Sequence, residues 1–222
     1  SRLHRSASRQ MTRPAVTIQA GSWTFGSPSV LMMYYRAPGE LQKELHEMNE
    51  CMPHYYRITN GHGLGAELVM AAEASFMQGR LHETEIGLER ARTKIAGSGQ
   101  ENMALCCDFL QLRLRLAAGK GRLLDMESRK QSLQARHDVV LLNMLDAIYA
   151  YYYALLQDTA RIPEVFRLHR LDTVNYFAPG RPMMELVENQ VLLAQGEYAR
   201  VIGRSEALLT VCDKLHYALV AL

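Results

Sequence analysis

A near-constant spacing of turn residues constrains this chain more than any other feature. Gly39 in Ala-Pro-Gly-Glu-Leu, Gly79 in Met-Gln-Gly-Arg-Leu, Gly119 in Ala-Ala-Gly-Lys-Gly, Gln157 in Leu-Leu-Gln-Asp-Thr and Gly196 in Ala-Gln-Gly-Glu-Tyr lie 40, 40, 38 and 39 residues apart. A fixed period of that length marks an array of supersecondary units. Apolar residues at helical spacing flank each turn: Leu64, Leu68, Ala72 and Phe76 before Gly79, and Leu81, Leu88, Ala91 and Ile95 after it. Each unit therefore reads as two antiparallel helices. A lone hairpin cannot bury its apolar face, so about five units are expected to stack around one continuous core. The fold class that follows is all-α, a tetratricopeptide-like superhelical solenoid of about five hairpins. The units are longer than the roughly 34 residues of a standard tetratricopeptide repeat.

One segment carries a competing signal. Phe109-Leu-Gln-Leu-Arg-Leu-Arg-Leu116 alternates with the period of a strand. On a helix the same stretch forms two stripes, Leu105, Phe109, Leu112 and Leu116 beside Cys106, Leu110, Leu114 and Ala117. Its place in the 40-residue frame selects the helix. The frame also predicts helices over Asp138 to Leu156 and Pro182 to Gln195. A short first helix is expected from Pro28, capped by Ser27, to Arg36.

Residues 1 to 24 read as a basic arm and residues 25 to 222 as the repeat domain. The first 39 residues hold Arg2, Arg5, Arg9, Arg13 and Arg36 without an acidic residue. Trp23 and Phe25 are expected to pack on the first hairpin as a cap. The closing stretch, Asp213-Lys-Leu-His-Tyr-Ala-Leu-Val-Ala-Leu222, starts a helix without an end signal and is expected to continue in a longer protein.

Composition excludes several classes of function. The longest apolar run, Ala147 to Leu156, is ten residues, against roughly 18 for a membrane span, so no membrane partner is expected. With 25 Lys and Arg against 23 Asp and Glu, the chain is not a strongly basic nucleic-acid binder; the arm reads as a linker. Cys51, Cys106, Cys107 and Cys212 form no Cys-x-x-Cys pair and read as free, mostly buried thiols of a reducing, cytoplasmic compartment. His46, His54, His62 and His82 show no zinc-binding spacing, and no metal or cofactor is expected. Gly61-His-Gly63-Leu-Gly-Ala66 fits a dinucleotide fingerprint, but no strand-helix-strand unit surrounds it. It reads instead as a helix end followed by glycines that let helices pack closely. Glu44, Glu47 and Glu50 with Lys43 read as a solvated face. No nucleophile triad or phosphate loop is present, and the chain reads as a non-enzyme.

Candidate binding residues come from the array. Solenoids bind through their concave surface. If the helix before each turn lines that wall, the residues six places before the turns face it: Met33, Glu73, Arg113, Tyr151 and Gln190. The last four offer an acceptor, a fork of donors, an aromatic platform and an amide. Glu73 and Arg113 are alternatively expected to satisfy one another across adjacent repeats. Tyr149, Tyr152 and Tyr153 share a face with Leu156 and read as core.

Three stretches carry a family resemblance: Gly21-Ser-Trp-Thr-Phe-Gly-Ser-Pro-Ser-Val-Leu31, Glu50-Cys-Met-Pro-His-Tyr-Tyr-Arg-Ile-Thr-Asn-Gly-His-Gly-Leu-Gly-Ala-Glu67 and Ala74-Ser-Phe-Met-Gln-Gly-Arg-Leu81. They resemble the central helical region of MalT-like, LuxR-type ATP-dependent transcriptional regulators, most closely over residues 11 to 96. The resemblance implies a sensor or effector region that binds an inducer small molecule or a regulatory protein. ATP and DNA would be handled by domains absent from this chain, since no Walker motif or helix-turn-helix is matched. The alternative is a protein-interaction scaffold without a small ligand.

Overall fold

The computed structural model describes residues 18–20, 23–25, 38–59, 65–120, 126–174 and 181–215. Among them every regular element is helical except one short hairpin, β1 (Ile18–Ala20) against β2 (Trp23–Phe25), antiparallel with Gln19 opposite Thr24. The expected helix over residues 28 to 36, Met33, and the side chains of Trp23 and Phe25 lie outside the described residues. The chain divides into two compact units, Ser1–Arg122 and Leu123–Leu222.

The first unit contains α1 (Leu41–Thr59), α2 (Gly65–Met77), α3 (Leu81–Ile95) and α4 (Glu101–Ala117). The alternating stretch Phe109–Leu116 is thus helical, as the repeat frame requires. Its core joins Ala66, Val69 and Ala72 of α2, Leu88, Ala91 and Ile95 of α3, and Met103, Cys107 and Leu110 of α4. Small residues set the spacing between α2 and α3. A Cβ on Gly87 would lie 3.1 Å from the Ala72 Cβ, closer than ordinary van der Waals contact. Gly65 opens α2 in similarly tight space, where a Cβ would meet Ile95 Cγ1 at 3.0 Å. The run Tyr55–Thr59, shortly before the glycine-rich motif, is the end of α1, and Gly61 to Leu64 of that motif lie outside the described residues.

The second unit contains α5 (Glu127–Ala135), α6 (Val139–Leu155), α7 (Glu164–Arg167), α8 (Arg181–Ala194) and α9 (Tyr198–Leu215). Asp138 caps α6, its carboxylate accepting from the Leu141 N–H at 3.2 Å. Ala147, Ala150 and Ala154 of α6 pack with Ile162, Phe166 and Leu171 and with Met184, Val187 and Val191 of α8. Here the hairpin pattern breaks. Between Gln157 and α8 the chain forms two 3₁₀ turns, Thr159–Arg161 and Leu171–Thr173, around the single-turn α7. Pro163 explains part of this: it has no N–H to donate and holds its predecessor extended, so Ile162 sits at φ −63°, ψ 130°.

The turns that define the period have one backbone geometry. Gly39, Gly79, Gly119, Gln157 and Gly196 all adopt left-handed φ, between 58° and 79°. At the last four, the N–H of that residue bonds the carbonyl three positions back, at 2.9–3.1 Å, and the next N–H bonds the carbonyl five positions back, at 2.8–3.0 Å. These bonds close the preceding helix by satisfying carbonyls its end would otherwise leave open. His137 and His169 make the same closure at φ 54° and 55°. They add two breaks that the glycine spacing does not foretell.

Candidate functional site

Of the four residues proposed from sequence, the structure brings two together. Glu73 on α2 and Arg113 on α4, 40 residues apart, form an ion pair at 2.8 Å with side chains 22% and 15% exposed. The Arg113 guanidinium also lies over two rings, 4.6 Å from the Phe76 centroid and 5.7 Å from that of Phe109. A guanidinium so held by a carboxylate and two aromatic faces is positioned by the fold itself. Arg113→Ala is accordingly expected to destabilise the chain by about 1 to 2 kcal/mol in urea unfolding. Tyr151 and Gln190 belong to the second unit. Tyr151 is half-buried against the core cluster of α6 and α8, and Gln190 is half-buried on α8.

Of the three tyrosines expected in the core, one is buried and two are only partly buried. Tyr152 is buried, and Tyr149 and Tyr153 stack at 6.1 Å with their planes 9° apart. Leu156, expected beside them in the core, is instead 50% exposed, because α6 ends at Leu155 and the chain turns away at Gln157. A second correction concerns α1. Glu44, read as solvated, is fully buried. It lies three residues after the buried Leu41, one helical turn along the inward face.

A concavity lies elsewhere in the first unit, a half-open groove of about 480 Å³, within the roughly 300–1,000 Å³ range of ligand clefts. One wall is a face of α1 with Gln42, Leu45, His46, Met48 and Asn49. The other is Arg80 with the α3 residues Glu83, Ile86, Gly87 and Arg90. The floor is α2, through Leu68, Ala71, Ala72 and Ser75. Both walls repeat at i, i+3/i+4 and i+7, so each presents one continuous helix face.

The ends of the groove fix the direction of its walls. Near the start of both, Gln42 Nε2 donates to Gln78 Oε1 at 2.7 Å, and the Arg80 guanidinium donates to the same oxygen at 2.5 Å. Near their far ends, Lys94 Nζ of α3 lies 4.8 Å from the ring centroid of Tyr56 on α1. Two cross-contacts at matched ends make α1 and α3 parallel. Arg80 is also paired with Glu83 at 2.8 Å. Ile86 is 50% exposed, and Leu45, Met48 and Leu68 are partly exposed above a floor of small residues. None of Glu73, Arg113, Tyr151 and Gln190 lines this groove. Glu73 is the residue after the floor residue Ala72, and about 100° of helical turn carries it off the groove face.

The second unit holds a buried charged cluster. Glu188, 1% exposed, faces His169 Nδ1 at 3.2 Å and the Arg204 guanidinium at 3.7 Å, and Arg204 also pairs with Glu185. Burial pushes the Glu188 carboxyl above its ordinary range, although Arg204 and His169 pull the other way. A carboxyl whose pKa is higher folded than unfolded opposes folding when ionised, and that penalty fades as pH falls through the folded value toward the unfolded one. Relative to Glu188→Gln, the wild type should therefore gain stability as pH falls from 7 toward the ordinary carboxylate range, read from urea midpoints of both proteins across that range. Among the described residues, no group of three or more His, Cys, Asp or Glu is placed to hold a metal ion. No described helix is long and apolar enough to cross a membrane. No protein-family profile, curated protein or solved structure matches the chain.

Proposed function

We propose that this chain is the effector-binding helical-repeat region of a transcriptional regulator, and that the groove between α1 and α3 receives the effector. The observation that carries the binding role is the groove's construction. The half-exposed Ile86 and the partly exposed Leu45, Met48 and Leu68 are set among the small residues Ala71, Ala72 and Gly87 and accompanied by polar lining side chains. That combination of apolar contact area with a few orienting polar groups is what ligand sites require. The regulator role rests on the sequence resemblance, and the stacking of all the hairpins into one solenoid rests on the repeated left-handed closures. In this reading the residues present here neither hydrolyse ATP nor contact DNA.

The groove is half-open and bounded by two parallel helices, which favours a segment of a regulatory protein over an enclosed small molecule. A pure interaction scaffold is the second reading on the same observation. The test is to select peptides from a random display library on the 222-residue chain and to titrate the best of them against Ile86→Asp. Ile86 is half exposed, so the substitution should change stability little, while a charge set among apolar anchors should weaken the selected peptides more than tenfold. Equal binding by wild type and Ile86→Asp would move the receiving surface away from this groove.

A further inference from the structure

The charges along the groove are unevenly matched, and this bears on what enters it. At its near end Arg80 is neutralised by Glu83 and bonded to Gln78. Arg90, two helical turns past Glu83, forms no ion pair among the described residues. The sequence explains why: its neighbours at i±3 and i±4 are Ile86, Gly87, Thr93 and Lys94, none of them acidic. Lys94 continues the same face by one more turn, its ammonium over the Tyr56 ring and likewise without a carboxylate partner among the described residues. Among the described residues Glu83 is the only carboxylate that lines the groove, and it lies about 10 Å from Arg90 along the helix. Arg90 therefore lines the groove beside the exposed apolar Ile86, and Lys94 over the Tyr56 ring lies just past the lining residues on the same helix face.

We propose that the occupant of the groove is an acidic amphipathic segment of a partner protein, which seats bulky apolar side chains on the small-residue floor and directs carboxylates to Arg90 and Lys94. This rests on the groove being the receiving surface and adds the chemistry of its ligand. The wall dictates the spacing. Arg90 follows Ile86 by one turn, so a ligand residue packed on Ile86 brings its acid to Arg90 from about one turn further along. Arginine can grip that carboxylate in two parallel hydrogen bonds, whereas Lys94 contributes a point charge. Attraction to the exposed Arg90 and the partly exposed Lys94 will be weakened by salt, because charges in water are screened over about 8 to 10 Å at moderate ionic strength.

Peptide selection on wild type and on an Arg90→Glu, Lys94→Glu double variant separates the possibilities. The expected result is that wild-type peptides share an apolar residue with Asp or Glu three or four positions away, and lose about threefold to tenfold in affinity between 50 and 300 mM NaCl. The double variant should select Lys or Arg at that acidic position. Peptides that lose binding in Ile86→Asp but show neither an acidic preference nor salt dependence would overturn this proposal and leave the groove as the receiving surface. Peptides indifferent to Ile86→Asp would overturn both. A single-stranded oligonucleotide that binds wild type and displaces the selected peptides would also overturn it, since the two cations would then serve phosphates.

Discussion

Phe166→Ala is expected to destabilise the chain by about 3 to 5 kcal/mol, the range for deleting a buried aromatic ring. Phe166 sits in the single turn of α7, a helix too short to persist on its own. It is 1% exposed and packed with Ile162, Leu171 and the facing sides of α6 and α8. The ring is thus what ties the broken segment between Gln157 and α8 to the second unit. Removing it leaves a cavity that the alanines of α6 cannot fill. Leu168→Ala, two residues on and 40% exposed, provides the control, with an expected loss of less than about 1 kcal/mol. Equal losses for the two in urea unfolding would mean that α7 is not anchored by Phe166.

In the first unit the largest effect is expected from Leu110→Ala, about 2 to 5 kcal/mol. Leu110 is 2% exposed and meets the α2 and α3 side chains in one cluster, while Leu116 on the same helix is only partly buried. A strand would place both on one face and bury them alike. The helix separates them by six residues, about 600° of turn, and so onto different faces. Leu116→Ala should accordingly destabilise much less than Leu110→Ala. Urea midpoints of the two variants, compared with wild type, measure the difference.

The parts of the fold that were legible in the sequence are those that local chemistry dictates. A left-handed residue at a helix end favours glycine so strongly that four of the five periodic turns could be found by eye, and the period then located Gln157 in the fourth. The same period placed Glu73 one unit before Arg113, and the two bond to each other. His137 and His169 were not recognisable as helix ends because histidine only occasionally adopts left-handed φ, although the capping residue Asp138 marks a helix start directly after His137. The breakage around α7 followed from Pro163 and His169, two local features that the period overrode in the reading of the sequence.

The groove was less legible, for a reason of geometry. Periodicity alone puts the receiving wall on the helices before each turn, α2 and α4 among those described in this unit, whereas the groove walls are α1 and α3 with α2 beneath. Periodicity tells which residues share a helix face. It does not tell which face stays partly open, because that depends on how closely the neighbouring helices approach. Here Gly87 against Ala72 lets α3 settle low on α2 and leaves Ile86 standing clear. Glu44 illustrates the same limit, since a carboxylate within an acidic stretch of α1 is fully buried once its face turns inward.

The central claim is that the groove between α1 and α3 is the receiving surface. Amide chemical-shift mapping by NMR, with a selected peptide titrated into the isotopically labelled chain, tests it most directly. The account predicts that the shifts concentrate on Leu45, Met48, Leu68, Ile86 and Arg90. Shifts that instead gather around Glu73 and Arg113, or around Tyr151 and Gln190, with the groove residues unmoved, would contradict it.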